Sequence, residues 1–436
     1  MNILLIGSGA REHAIVKVLS KSKHNPQLFC LASNNNPGIQ ELCKEYNVNK
    51  ISDPQIVKQF ALDNKIDWTI IGPESPLAEG IADVLWNNNI PCVGPKQNLA
   101  QIETSKGFTR DLLAQYNIEG GPKYKNFSSL DGAKDFLEEL GELYVIKADG
   151  LMGGKGVKVA GDHLYSHDEA VQYCKELLDK KSNFVIEEKF VGQEFSLMSF
   201  CDGKNLAHMP AVQDHKRAFE GDTGPNTGGM GSYSAANHFL PFLKEADILA
   251  AQTINQKTAD ALRDKFDEDY KGILYGGFIL TKTGVKLIEY NARLGDPEAM
   301  NVLAILETDL VDLCKAIIDG NLTQEHAKFA NQATVCKYSV PEGYPDNPVK
   351  NEKIDISEVK NKEQLYYASV DSRVDGLYEV GSRTVAVVGV ADTIDEAEKI
   401  AESEINVVRG PLFHRKDVGT SELIDKKVEM MKKILQ

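Results

Sequence analysis

The sequence predicts a multidomain chain of the α/β and α+β classes: an N-terminal domain on a parallel sheet, a central α+β domain with a mobile lid, and a small C-terminal α+β domain. Three observations predict it. At 436 residues the chain exceeds what one hydrophobic core comfortably serves, and about 150 residues per domain suggests three. The first hundred residues alternate short apolar runs with helix-periodic ones, the rhythm of a parallel sheet covered on both faces. Beyond them, strands joined by glycine-rich turns form compact α+β units.

The elements follow in order. Residues 3–6, 28–31 and 68–71 read as buried strands, with a helix over 11–19 between the first two. This rhythm holds to residue 104, which closes the first domain (1–104). Thr104-Ser105-Lys106 opens a helix running to Leu113 and begins the central domain (105–317). From 144 to 188 come strand, glycine-rich turn, strand, helix and strand, the body of a lid subdomain over about 123–191. A polar, glycine-laden loop spans 214–231, a helix 246–266 and a hairpin 276–292. The last domain (318–436) has strands at 335–339 and 384–390 and a helix at 394–404.

Composition excludes several function classes. With 49 Lys and Arg against 64 Asp and Glu, the net charge is −15, and no basic block gives the footprint of a nucleic-acid binder. No apolar run approaches the roughly 20 residues needed to cross a bilayer, and the start lacks the features of a signal peptide, so the expected location is the cytoplasm and no membrane partner is expected. Seven scattered cysteines, none in a C-x-x-C pair, indicate neither a disulfide framework nor a zinc site. A phosphorylated ligand requires that positive groups be gathered locally.

Four stretches carry chemistry. Gly7-Ser8-Gly9-Ala10-Arg11-Glu12 is a strand-to-helix turn whose N–H groups suit a phosphate. It is not a dinucleotide fingerprint, because Glu12 stands at the third glycine position and Ser33-Asn34 ends the second strand without an acid. A phosphate or phosphosugar site and a plain tight turn both remain open for it. Lys147 to Gly156 packs four glycines around Lys155, yet Asp149 and Gly156 occupy positions that a P-loop gives to Gly and Ser/Thr. What remains is a glycine-rich hairpin tip, with Gly153 and Gly154, able to fold over phosphates, and Lys147 brings a cation beside it. Residues 184–194, including Glu187, Glu188, Lys189, Val191 and Glu194, read as an apolar strand running into a polar segment. Free backbone groups there suit an adenine edge, and an acid a few residues on suits a ribose.

The fourth stretch, 285–298, lines Glu289, Asn291 and Arg293 along one face of a strand. Burying such groups unpaired costs several kcal/mol each, so something must satisfy them. Glu289 and Asn291 suit Mg²⁺, which takes few protein oxygens and fills its shell with phosphates and water. Arg293 can grip an oxyanion bidentately.

Lid, hinge and metal strand, in that order, resemble the ATP-grasp superfamily. With Asp214-His215-Lys216-Arg217, the run from Gly221 to Gly231, Gly72-Pro73-Glu74, Gly94-Pro95 and Asn291-Ala292-Arg293-Leu294-Gly295-Asp296-Pro297-Glu298, the chain resembles the phosphoribosylamine-glycine ligase family throughout. The resemblance implies a central ATP-grasp fold and a ligase that joins glycine to 5-phosphoribosylamine, using ATP with Mg²⁺ or Mn²⁺, through glycyl phosphate. The products are glycinamide ribonucleotide, ADP and phosphate, an early step of purine synthesis. By matching positions, Lys106 and Lys147 face the phosphates with Lys155 and the Gly153-Gly154 lid, Glu187 to Val191 the adenine, and Glu194 the ribose. Glu289 and Asn291 hold the metal, and Arg293 with Lys155 neutralises charge. Gly9, Arg11 and Glu12 take the phosphoribosyl phosphate; Asp214, Lys216, Thr227, Gly228, Gly229 and Asp296 line the glycine and amine pocket. The expected partners are these small molecules, and the expected state is a monomer. Three departures stand out: Ala10 for a glycine, Ala368-Ser369-Val370 for Ala-Gly-Thr, and Gly381-Ser382-Arg383 for Gly-Gly-Arg, which puts substrate contact from the last domain in doubt. Rival readings are a carboxylase of the ATP-grasp type, which would lack the 214–231 run, and a non-catalytic nucleotide binder, which would rest on the first turn alone.

Overall fold

The computed structural model describes residues 1–152 and 156–436, so Gly153, Gly154 and Lys155 lie outside the described residues. Five parallel strands open the chain, in the order Glu45–Val48, Gln27–Ala32, Asn2–Ile6, Trp68–Ile71 and Cys92–Val93. Apart from the polar edge strand Glu45–Val48, these strands are buried along nearly their whole length, as helices covering both faces require. The first helix, Ala10–Ser20, starts directly after the first strand and buries Ala14, Ile15, Val16 and Leu19.

Three larger sheets and two small ones follow among the described residues. The lid has four antiparallel strands ordered Tyr124–Phe127, Phe184–Glu188, Tyr144–Ala148 and Val157–Val159, with its own small core that includes Phe127, Phe136, Ile146 and Phe184. The central sheet runs Leu206–His208, Gly192–Asp202, Lys271–Thr281 and Gly284–Asn291. The last begins with Gln213–Asp214 and Gly231–Ser234 and continues through Ala333–Pro341 into Val385–Ala391 and Leu365–Tyr367.

That last sheet matters for the site, because the strand bearing Asp214 is bonded, through one neighbour, to the C-terminal part of the chain. The 214–231 stretch is also less irregular than its glycines suggest. Arg217–Phe219 and Thr223–Asn226 pair as a short antiparallel hairpin within it. Among the described residues no helix is long and apolar enough to cross a membrane.

Candidate active site

A bulge decides which side chains the Gly284–Asn291 strand presents. Lys271–Thr281 and Gly284–Asn291 pair with Phe278 opposite Leu287 but Gly277 opposite Glu289, so Ile288 is an extra residue. Strict alternation would put Glu289 on the face of the buried Val285 and Leu287. The bulge resets the phase: Tyr290 and Ala292 now join Val285 and Leu287 inside, while Glu289 and Asn291 turn to the cleft. The displaced Ile288 carbonyl accepts from Lys147 Nζ at 3.0 Å and from the Arg110 guanidinium.

Cations converge on Glu289. Burial alone would raise its pKa, but Lys216 first, then Lys147, Lys106 and Arg293, pull it down to about 2. Lys216 Nζ stands 3.9 Å from Glu289 and 3.4 Å from Glu194. Lys106 donates to the carbonyls of Glu103 and Gly150 at 3.2 and 3.4 Å. Lys147 is buried and ion-paired with Glu187, which Arg110 also grips through two bonds of 2.8 and 3.1 Å. Arg293 is held by Glu103 at 3.0 Å and by Glu74 at 3.4 Å, and donates to Asn291 Oδ1 at 3.1 Å. An amide oxygen has two lone pairs, so Asn291 keeps one for a ligand. An ionised carboxylate and an amide oxygen on one face, ringed by lysines, are a donor set that fits a divalent ion bridging phosphates.

A second corner is uncompensated. Asp214 Oδ1 is buried with no hydrogen-bond partner among the described residues, and burial, then the nearby Glu298, push the carboxyl pKa well above its ordinary range. Glu298 accepts from Ser196 Oγ at 2.9 Å and from the Tyr275 hydroxyl. Gly229, at φ 110°, closes the wall: a Cβ there would lie 2.6 Å from Pro297 and 2.7 Å from Asp214 Oδ1. Thr227 Oγ1 accepts from Gly229 N at 3.0 Å and donates to Lys216 O at 2.9 Å. Arg383 ties this loop down, donating to Gly228 O at 2.7 Å, Gly229 O at 3.1 Å and Asp296 O at 3.0 Å. It also pairs with the Asp296 carboxylate at 3.1 Å and lies over the Tyr338 ring. Asp296 accepts from Tyr338 Oη at 2.6 Å as well.

The first turn is packed from within. Glu12 accepts from Gly9 N and from Arg11 Nε, both at 2.6 Å, and Arg11 donates to Leu294 O at 3.0 Å. Both side chains are buried, and a Cβ at Gly72 would come within 2.1 Å of Glu12. Arg11 and Glu12 therefore brace the turn against the segment that follows the Gly284–Asn291 strand.

The hinge differs from an edge strand with free backbone. Phe184–Glu188 lies inside the lid sheet, paired on both sides. Glu188 N donates to Lys123 O at 2.8 Å and Lys189 N to Leu143 O at 3.0 Å. The Glu187 side chain belongs to the Arg110 and Lys147 cluster, and Lys189 Nζ donates to Ala160 O at 2.7 Å. Unladdered backbone begins only at Phe190 and Val191, before Gly192–Asp202 starts. Glu194 sits at the start of that next strand, beside Lys216.

Sequence reasoning passed over Arg110, Glu103 and Glu298 as site residues and placed Arg383 in doubt. Arg110 lies four residues after Lys106, one helical turn along the same face, which was a usable signal. Glu103 and Arg383 act across long chain separations and left none.

Models of the phosphoribosylglycinamide synthetase family match in three consecutive parts: its N domain over residues 1–103, its ATP-grasp (A) domain over 104–299 and its C domain over 334–421. The phosphoribosylamine–glycine ligase of Methanosarcina barkeri is 49% identical over 434 residues, covering 100% of each chain. That of Methanocaldococcus jannaschii is 49% identical over 444 residues, again 100% of each. Among solved structures, phosphoribosylamine–glycine ligase from Thermotoga maritima superposes with TM-score 0.81 at 25% identity, covering 96% of this chain and 100% of its own. Biotin carboxylase from Campylobacter jejuni, at TM-score 0.74 and 14% identity over 99% of this chain and 95% of its own, shares the fold alone.

Proposed function

We propose the following chemistry for this chain, which belongs to the phosphoribosylglycinamide synthetase family: ATP-dependent joining of glycine to 5-phosphoribosylamine, in purine biosynthesis. The observation that carries it is the convergence of Lys106, Lys147, Lys216 and Arg293 on Glu289 and Asn291 next to an orphaned Asp214. In a chain of net charge −15, such a cationic pocket suits a triphosphate, and the corner beside it suits an ammonium group.

A glycine carboxylate is a poor electrophile. One of its oxygens attacks the γ-phosphorus of ATP, the bond to the bridging oxygen breaks, and glycyl phosphate and ADP result. The amine nitrogen of phosphoribosylamine then attacks the glycyl carbonyl carbon, loses a proton, and phosphate leaves with the C–O bond. The first step needs positioning and charge neutralisation more than a side-chain nucleophile. Lys106 and Lys147 bind the ATP phosphates, with Lys155, Gly153 and Gly154, outside the described residues, carried over from the resemblance. Backbone at Phe190 and Val191 meets the adenine, and Glu194 the ribose. Arg293, steadied by Glu103 and Glu74, faces the transferring phosphoryl group. Asp214, with Lys216 and the Thr227 to Gly229 wall, receives glycine, whose ammonium pairs with the orphaned carboxylate; Arg383 and Asp296 hold that wall. The turn at Gly9, braced by Arg11 and Glu12, takes the phosphoribosyl phosphate. Glu289 and Asn291 would hold Mg²⁺ or Mn²⁺, which when bound neutralises phosphate charge and orients the γ-phosphoryl group.

The domain limits in this reading are 1–104 for the amine substrate's phosphate, 105–317 for ATP with a lid at about 123–191, and 318–436 for closing the glycine wall. The test is a coupled ADP assay. ADP formation that requires both glycine and phosphoribosylamine supports the reading, and ADP formation driven by bicarbonate without glycine overturns it.

A further inference from the structure

We propose that Glu103 is a positioning residue for the metal-holding end of the 284–291 strand, a role that rests on the metal site read above. Asn291 forms the last rung of its ladder, opposite Tyr275. The next N–H, on Ala292, has no strand partner and is taken instead by Glu103 Oε2 at 2.7 Å. The other oxygen, Oε1, holds Arg293 Nη2 at 3.0 Å, and the same Nη2 donates to Asn291 Oδ1 at 3.1 Å. Glu103 thus fixes backbone and guanidinium together, and through the guanidinium it fixes which atom of the Asn291 amide is the oxygen. Arg293 can only donate, so a flipped amide would set two donors face to face.

Glu103 is 4% exposed and lies in the last turn of the helix Gln97–Thr104, far along the chain from the strand it braces. Its backbone carbonyl accepts from Lys106 at 3.2 Å. One residue therefore connects the lysine at the start of the following helix to Arg293 and, through it, to Asn291. The arrangement is that of an outer-shell partner, whose loss costs a metal site roughly 10- to 100-fold in affinity. Glu74, the other acid on Arg293, stands farther off at 3.4 Å and makes no hydrogen bond through Nε. The close restraint on Arg293 comes from Glu103.

The test is Mn²⁺ binding, followed by electron paramagnetic resonance, to the full chain saturated with ADP. Four proteins are compared: wild type, Glu289→Gln, Glu103→Gln and Glu103→Asp. Glu103→Gln keeps an oxygen for the Ala292 N–H but loses the charge that holds Arg293; Glu103→Asp keeps the charge but is one methylene short of reaching both partners. The expected result is at least a tenfold weaker Mn²⁺ affinity in Glu103→Gln, with the affinity for metal-free ADP within twofold of wild type. Glu103→Asp, expected to weaken Mn²⁺ at least threefold, decides the matter if Glu103→Gln fails to fold. Glu103 variants that bind Mn²⁺ within twofold of wild type, while Glu289→Gln loses it, overturn the positioning role and leave the metal site standing. Unchanged Mn²⁺ binding in Glu289→Gln overturns the metal site itself.

Discussion

Two partly buried carboxylates of the cleft behave oppositely. Glu289 is drawn down to about 2 by four surrounding cations, Lys216 foremost. Asp214 is driven well up by burial and by Glu298, and its Oδ1 has no partner among the described residues. Each arrangement fits the charge of what it is proposed to meet. Around Glu289 positive charge is already gathered and the acid is held ionised, which suits the phosphates and cation proposed for it. At Asp214 the nearby Lys216 and Arg383 do not outweigh burial and Glu298, which leaves room for the cationic group of the proposed ligand.

The sharpest way to break this contrast is Glu289→Gln. Removing the one anionic ligand forfeits transition-state charge stabilisation worth several kcal/mol, so kcat/KM for ATP should fall about a thousandfold or more, partly recovered by raising Mn²⁺. Steady-state kinetics over a metal titration checks it; a fall of less than tenfold would mean that Glu289 carries no ion.

Asp214→Asn comes next and acts on the other substrate. Truncating one member of a desolvated charge pair costs about 2–5 kcal/mol, roughly 30-fold to several thousandfold in kcat/KM for glycine, with KM for ATP little changed. The pH dependence carries the sign. Because the pKa is raised, Asp214 is neutral below that value, so kcat/KM for glycine should drop as pH falls through a point above the usual carboxylate range. In Asp214→Asn that acid limb should vanish. An identical acid limb in the variant would assign it to another group.

How much of this was readable in the sequence depends on whether the deciding interaction is local. The N-terminal parallel sheet was legible because 3–6, 28–31 and 68–71 are apolar but for Thr69 and are separated by helical periodicity. Glu289 and Asn291 stood out as a pair by alternation along one strand, Lys147 by its place beside a glycine-rich turn, and Lys106 only through the family resemblance. The bulge at Ile288 was not legible, since an extra residue shows only against the partner strand; yet without it Glu289 would point into the core. The interior place of Phe184–Glu188 was hidden for the same reason: edge or centre depends on which strands come alongside. The hairpin within 214–231 was masked by glycines at 221, 224, 228 and 229 that read as loop. Arg383 was discounted because Ser382 departs from a family pattern, although the guanidinium, not its neighbour, makes the contacts.

Arg383→Ala sharpens the comparison with a smaller effect. It releases the Gly228, Gly229 and Asp296 carbonyls together, leaving Asp214 in place but its wall loose. Misplacement of about 1 Å can cost a hundredfold, so a 10- to 100-fold loss in kcat/KM for glycine is expected, with KM for ATP within twofold. Equal losses for both substrates would show that the C-terminal part supports the whole cleft and not the glycine wall.

The smallest effect belongs to the far end of the same stretch. Asp222, in the turn of the 217–226 hairpin, pairs with Arg415 at 2.8 Å and Lys427 at 3.2 Å. Burial would raise its pKa, but Lys427 first, then His215 and Arg415, bring it down to about 2. A depressed acid contributes stability above its unfolded pKa and loses it as pH falls through the folded one. The contribution is therefore complete above about pH 4 and gone near pH 2. Asp222 is about a third exposed, so solvent screening reduces it to about 1 kcal/mol. Asp222→Asn should lower Tm by about 2 °C at pH 7, and calorimetry down the pH scale should show that gap closing between pH 4 and 2. A gap that persists at low pH would mean that the hairpin is held by packing, Phe219 against Phe413, and that its charges are incidental to the wall that Asp214 shares.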